Sequence, residues 1–293
     1  MARVVAVHGI NNTYSAPEVM AKDWVPALLG GVNLAGHPGL LSPEDITCVF
    51  YGDLFRRPGR YLGVDDLETL EAEEVEDSAE IELLGRWWDA AADTDPGVVA
   101  PGARTLGGFG IQAALAALAN SRFLAETSER LLILWLKQVR TYFTDVEIRR
   151  QIQARFTQAI GPDTRVVMAH SLGSVVAYEG LAAHPHRMVP MLVTMGSPLG
   201  IRNVILDRLQ PAPDRRARGV VRGRWPGGVR RWTNIADHHD FVALVKKLHE
   251  VFDPELVDIE IDNGARIHRV DRYLTAEQTG AALARGLLGN RWR

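Results

Sequence analysis

One serine stands out in this chain because of what flanks it. Residues 165–183 read Arg165-Val-Val-Met-Ala-His-Ser-Leu-Gly-Ser-Val-Val-Ala-Tyr-Glu-Gly-Leu-Ala-Ala183. Val166, Val167 and Met168 make a continuous apolar run, the pattern of a strand buried on both faces. Leu172, Val175, Val176, Ala177 and Leu181 then recur at helical spacing. Between the two lies Ala169-His170-Ser171-Leu172-Gly173, the x-x-S-x-G of a nucleophile elbow. A strand that becomes a helix within about four residues holds its serine in a strained backbone conformation with Oγ exposed. Residues two before and two after must then be very small, and here they are Ala169 and Gly173. The helix behind the serine aims its free N–H groups at the place where an oxyanion would develop. These features suit an acyl-transfer nucleophile; the plainer alternative is an ordinary strand–turn–helix with an inert serine.

Other reactive residue types compete less well. Asp237-His238-His239-Asp240 suggests a metal site, but adjacent loop residues point different ways and rarely share one ion, and no further His/Cys set has ligand spacing. No metal is expected. Cys48 is the single cysteine, which excludes an intramolecular disulfide, and its apolar setting (Ile46-Thr-Cys-Val-Phe50) predicts a packed thiol rather than a reactive one. Ser197, in Met195-Gly-Ser-Pro-Leu-Gly200, has Pro198 directly behind it and so no helix start to activate it. Asp53 ends the predicted second strand and reads as a turn aspartate, with substrate contact as the alternative.

The elbow, with its strand and helix, resembles the α/β-hydrolase superfamily, in particular its small bacterial lipases, whose elbow also reads Ala-His-Ser-x-Gly. Alanine replaces the usual first glycine. Val4–Val7 followed by His8-Gly9-Ile10-Asn11-Asn12 is similar to that family's first core strand and the turn over the elbow, and Gly196-Ser-Pro198 also looks like the lipases. The resemblance covers 1–55 and 145–293. It implies that the backbone N–H groups of Ile10 and Leu172 form an oxyanion hole and that His8 holds the loop rather than acting as a base. It also implies an acid just past a late strand, here Arg231–Ile235. Asp240 and Asp237 both qualify; Asp240 is preferred because Phe241-Val242-Ala243 behind it would anchor the loop. The family's base sits between the last strand and last helix, which is the place of His268. His37 belongs to an early loop, His184 and His186 follow the elbow helix, and His249 falls in a predicted helix.

The implied order Ser171…Asp240…His268 is that of α/β-hydrolases rather than of other triads. His268 would deprotonate Ser171, Asp240 would fix the imidazole, and no cofactor would be needed. The expected activity is hydrolysis of carboxylic esters, of lipase or esterase type. A thioesterase, amidase, peptidase or acyltransferase would use the same residues, and a hydrolase-like binding protein is the non-catalytic alternative.

The remaining pattern supplies the scaffold. Helices are predicted at 17–30 (Pro17 at the start, Gly30 at the end), 111–119, 123–142, 145–160 and 276–288, and strands at 4–7, 45–53, 188–194, 231–235 and 257–261. The fold class expected is α/β: a mostly parallel sheet of about six strands with helices on both faces. Residues 56–144 interrupt the core pattern and form a helical insertion too long for a plain connection. Ten acidic residues lie between Asp65 and Glu82, and Trp87, Trp88 and a Pro/Gly-rich loop at 95–110 follow. The resemblance makes this insertion a cap or lid; helices beside the core or in a dimer interface are the alternative.

Hydrophobic content of 46%, charged content of 24% and a net charge of −3 over 293 residues describe an ordinary globular chain with no global pull toward nucleic acid. Arg208–Arg231 carries eight arginines against one acid and reads as an exposed loop. It offers peripheral contact with an anionic head group or membrane surface if it is more than a solvated loop. Apolar runs such as Leu131–Leu136 are far short of the ~20 residues of a membrane span. With no leader pattern at Met1–His8, a cytoplasmic protein acting on a small acyl ester or lipid is expected.

Overall fold

The computed structural model describes residues 2–10, 12–56, 72, 75, 77–94, 97–99, 109–119, 129–215, 219–264 and 268–289. Short apolar segments become strands β1 (Val4–Val7), β2 (Ile46–Val49), β3 (Val166–His170) and β4 (Val189–Met195). A two-residue ribbon, β5 (Asp214–Arg215) with β6 (Val221–Arg222), pairs antiparallel apart from the main sheet. Strands β7 (Val229–Asp237) and β8 (Val257–Ile261) complete a six-stranded sheet of order β2-β1-β3-β4-β7-β8. Every pairing in it is parallel. Side chains alternate between faces, so Val5, Val7, Val167 and Ala169 enter one apolar cluster while Val4, Ala6, Val166 and Met168 enter another. A sheet apolar on both faces needs helices on both.

Those helices are α1 (Pro17–Leu34), α2 (Ser78–Thr94), α3 (Phe109–Ala119), α4 (Glu129–Thr144), α5 (Val146–Ala159), α6 (Leu172–Ala183), α7 (Val270–Thr275) and α8 (Glu277–Leu288). Trp24, Leu28, Tyr273 and Leu283 bring α1, α7 and α8 to one face; Trp87, Leu115, Trp135, Phe156 and Val176 bring α2–α6 to the other. The described helices of the insertion thus share one continuous core with the sheet. Asp145 caps α5 by accepting from the N–H groups of Glu147 and Ile148, both at 3.0 Å.

Three sequence expectations change. Helix α1 does not stop at Gly30 but runs to Leu34, with Gly36 beyond it at φ +81°. The glycine pair marks a crossing, since a Cβ at Gly31 would stand 2.4 Å from the Leu274 carbonyl oxygen and one at Gly280 2.0 Å from that of Gly31. The arginine-rich stretch is not a plain exposed loop: it contains the β5–β6 ribbon, buries Val221, and pairs Arg215 with Asp207 (2.9 Å) and Arg224 with Asp214 (2.8 Å). His249 lies in a short 3₁₀ turn, Leu248–Glu250, not in an α-helix. Most of the Asp65–Glu82 acids, most of the 95–110 loop, the expected start of a helix at Phe123, and Arg216–Arg218 lie outside the described residues. Among the described residues, no helix is long and apolar enough to cross a membrane.

Candidate active site

Strand β1 lies between β2 and β3, so the chain winds outward one way from β1 to β2 and then crosses to β3 on the other side. In open parallel sheets such a reversal leaves a crevice at the strands' C-terminal ends, where ligands bind. Here it is flanked by His8-Gly9-Ile10 after β1 and by Ser171 after β3. Ser171 adopts φ 54°, ψ −129°, a region L-residues rarely occupy; Asn203 is the other described non-glycine residue at positive φ. The Ser171 N–H donates to the Met195 carbonyl at 3.0 Å. Close packing explains the neighbouring residue types. A Cβ at Gly173 would stand 2.4 Å from the His8 carbonyl oxygen, and one at Gly9 would stand 2.6 Å from Ser171 Cβ. Among the described residues, neither the Ile10 nor the Leu172 N–H donates a hydrogen bond.

Of the two competing aspartates, Asp240 meets His268: its Oδ2 accepts from His268 Nδ1 at 2.7 Å. Oδ1 takes the N–H groups of Val242 (2.8 Å) and Ala243 (3.3 Å), the loop return that the apolar residues behind it anchor. Asp237, three residues earlier, is engaged elsewhere, accepting from the backbone N–H groups of His239 (2.7 Å) and Asn263 (2.5 Å). Burial opposes charge on Asp240, but the His268 ring and hydrogen bond, Lys246 and Tyr273 outweigh it and hold the carboxyl well below the usual carboxylate range. The His268 ring lies 4.6 Å from that of His170, the residue before Ser171. It also packs on Gly196, where a Cβ would stand 3.1 Å from His268 Nδ1. Ser171 Oγ and His268 Nε2 are both buried and neither makes a hydrogen bond.

No family model matches the chain, and neither a curated protein nor a solved structure does.

His8 is part of the scaffold. Its Nε2 accepts from the Tyr51 N–H at 3.0 Å, its Nδ1 faces the Gly9 carbonyl at 2.5 Å, and its ring stacks on Tyr51 with centroids 4.0 Å apart. Burial lowers its pKa to about 4, so the ring is neutral and clamps the turn after β1 to the turn after β2. Asp53 is held by Arg155 (2.5 and 2.9 Å), away from any role with Asp240 or His268. His238 turns to Glu260 at 2.8 Å, and among the described residues no group of three or more His, Cys, Asp or Glu could hold a metal ion. Burial pushes the Cys48 thiol up to about 11.

Three residues at the site were not read as such from the sequence. Gly196 (φ +52°) leaves the gap into which Asp240 and His268 fit, and its Gly-Ser-Pro setting was the available signal. His170 is buried, its Nε2 makes no hydrogen bond, and burial together with neighbouring His268 keeps its pKa well below the ordinary value. Tyr273 donates its hydroxyl to Asp240 Oδ2 at 2.6 Å and accepts from the Asp237 N–H at 2.8 Å. Nothing in the local pattern distinguishes that tyrosine from an ordinary core aromatic.

Proposed function

We propose that the protein is a serine hydrolase of α/β-hydrolase type that cleaves carboxylic esters through an acyl-enzyme. The observation that carries this reading is the convergence on one rim of a serine at φ 54° and a histidine whose Nδ1 is bonded at 2.7 Å to a buried carboxylate. His268 Nε2 takes the proton of Ser171 Oγ as the oxygen attacks the acyl carbonyl. Asp240, already ionised, keeps the imidazole in the Nδ1–H tautomer and stabilises the imidazolium. The N–H groups of Ile10 and Leu172 receive the oxyanion, the second backed by the N-terminus of α6. His268 then returns its proton to the leaving alkoxide and activates the water that releases the acyl group. Oγ and Nε2 are unbonded at rest, so the transfer requires them to close to about 3 Å when substrate arrives. The apolar surroundings favour an apolar acyl group: the Phe241 ring lies 5.4 Å from that of His268 and 6.0 Å from that of Trp87 in α2.

Labelling with a fluorophosphonate probe, read by intact mass, tests the reading. Wild type should take one adduct, and Ser171→Ala and His268→Ala none. A panel of p-nitrophenyl esters should then be turned over by the labelled form's parent alone. A folded wild type that takes no adduct, with or without detergent, would remove the hydrolase reading.

A further inference from the structure

The Asp240 carboxylate has more partners than a two-residue relay requires. Its Oδ1 is filled by two backbone N–H groups, and its Oδ2 is shared between His268 Nδ1 (2.7 Å) and the Tyr273 hydroxyl (2.6 Å). Tyr273 is fully buried, and its oxygen also accepts the N–H of Asp237, the last residue of β7. His268 and Tyr273 belong to one short segment, the turn before α7 and α7 itself. Two donors from that segment therefore dock on the same carboxylate oxygen, and the second is also tied to the strand end from which the acid loop departs.

We infer that Tyr273 is the positioning residue of the Asp240–His268 pair: its hydroxyl locks the base-bearing segment to the acid and draws part of the Oδ2 charge away from the imidazole. This rests on the reading of Ser171, Asp240 and His268 as a triad. A donor that shares an anionic acceptor weakens the bond the other donor makes to it, while two anchors fix orientation better than one. Burial and the adjacent carboxylate push the Tyr273 hydroxyl well above its ordinary pKa, so it keeps the proton it must donate. His170, 5.5 Å from the Tyr273 ring, and Lys246, which donates to the Asp240 carbonyl at 2.6 Å, complete the polar surroundings.

Tyr273→Phe removes the hydroxyl and keeps the ring. Its kcat for a p-nitrophenyl ester should fall by about 10- to 100-fold, because losing the anchor that fixes the Asp240–His268 geometry outweighs the stronger bond between them, with KM nearly unchanged. The double variant Asp240→Asn/Tyr273→Phe should be no slower than Asp240→Asn alone, because Tyr273 acts on His268 through that carboxylate. A proton spectrum gives a readout independent of turnover: the His268 Nδ1–H resonance should move downfield in Tyr273→Phe. It should move upfield when 3-fluorotyrosine, a stronger donor that preserves the fold, replaces Tyr273. An unchanged kcat, additive losses in the double variant, or a resonance indifferent to both replacements would overturn the inference. Absence of the fluorophosphonate adduct on wild type would instead strike the triad reading, and the resonance would still decide whether Tyr273 governs the Asp240–His268 bond.

Discussion

At position 196 a methyl group would stand 2.8 Å from Asp240 Oδ2 and 3.1 Å from two atoms of the His268 ring, on a backbone already at φ +52°. Gly196→Ala should therefore push the proposed acid and base, Asp240 and His268, apart. Misplacement by about 1 Å costs on the order of 100-fold in rate, so single-turnover acylation should slow by that factor while the thermal midpoint falls only a few degrees. A loss of stability without a loss of rate would show that the gap serves packing alone. The residues of the site differ in how far they could be read beforehand. Ser171 announces itself because an elbow restricts its neighbours to small side chains. Asp240 and His268 had to be found by their order behind late strands, and Asp237 could be set aside only once its two backbone donors were seen. Tyr273 and Gly196 act through tertiary contacts that leave no periodic trace: a buried tyrosine is spelled the same way whether its hydroxyl is bonded to a carboxylate or to a carbonyl.

Among the elements, the α1–α8 crossing depends on two absent side chains. With Gly31 and Gly280 the backbones touch, and a Cβ on Gly280 would meet the Gly31 carbonyl at 2.0 Å. Gly280→Ala should lower stability by about 1–3 kcal/mol, seen as a lower urea midpoint at unchanged slope, because the helices must separate. Helix α1 was expected to end four residues early, at Gly30, where a Cβ would meet nothing, whereas its neighbour Gly31 is the glycine the close approach requires. A glycine that stops a helix and one that lets a second helix approach are identical in one dimension. Strands were legible as to existence and order because buried parallel strands are short, continuous apolar runs. The first and last strands fall where expected, and elsewhere limits moved by one to four residues, as with Arg231–Ile235, which belongs to the longer β7 at Val229–Asp237. In the insertion, apolar spacing marked α3 and α4, whereas α2 was hidden among acids, two of which pair with α4: Lys137 with Glu80 at 3.3 Å and Arg140 with Asp77 at 2.5 Å.

The molecule as a whole should be sensitive to mild acid, and His8 is one cause. Its folded pKa of about 4 lies below the ordinary 6.5, so folding favours the neutral ring. That stabilisation is whole above pH 6.5 and is lost as the pH falls toward 4, amounting to roughly 3 kcal/mol. His170, also held neutral by burial, adds in the same direction. Asp240 behaves oppositely in window: its depressed pKa keeps its contribution intact above the ordinary carboxylate value and loses it only in much stronger acid. Urea unfolding at pH 7 and pH 4.5 should show a large drop for wild type and a clearly smaller one for His8→Gln; equal drops would clear His8 of the effect. The topology has a consequence in time as well. Val4 pairs with Ile46 on one side and with Val166 on the other, so a strand that precedes both its partners in sequence occupies an interior place that is completed only by residues far downstream. While the polypeptide is being synthesised, β1 has one neighbour and an open edge, a two-stranded fragment too small to be stable alone. Closing so long a loop is slow, and the elbow cannot exist until it has closed, since Gly173 packs on the carbonyls of Val7 and His8. The strained turn at Ser171 is thus assembled in the same event that hides the strand edge.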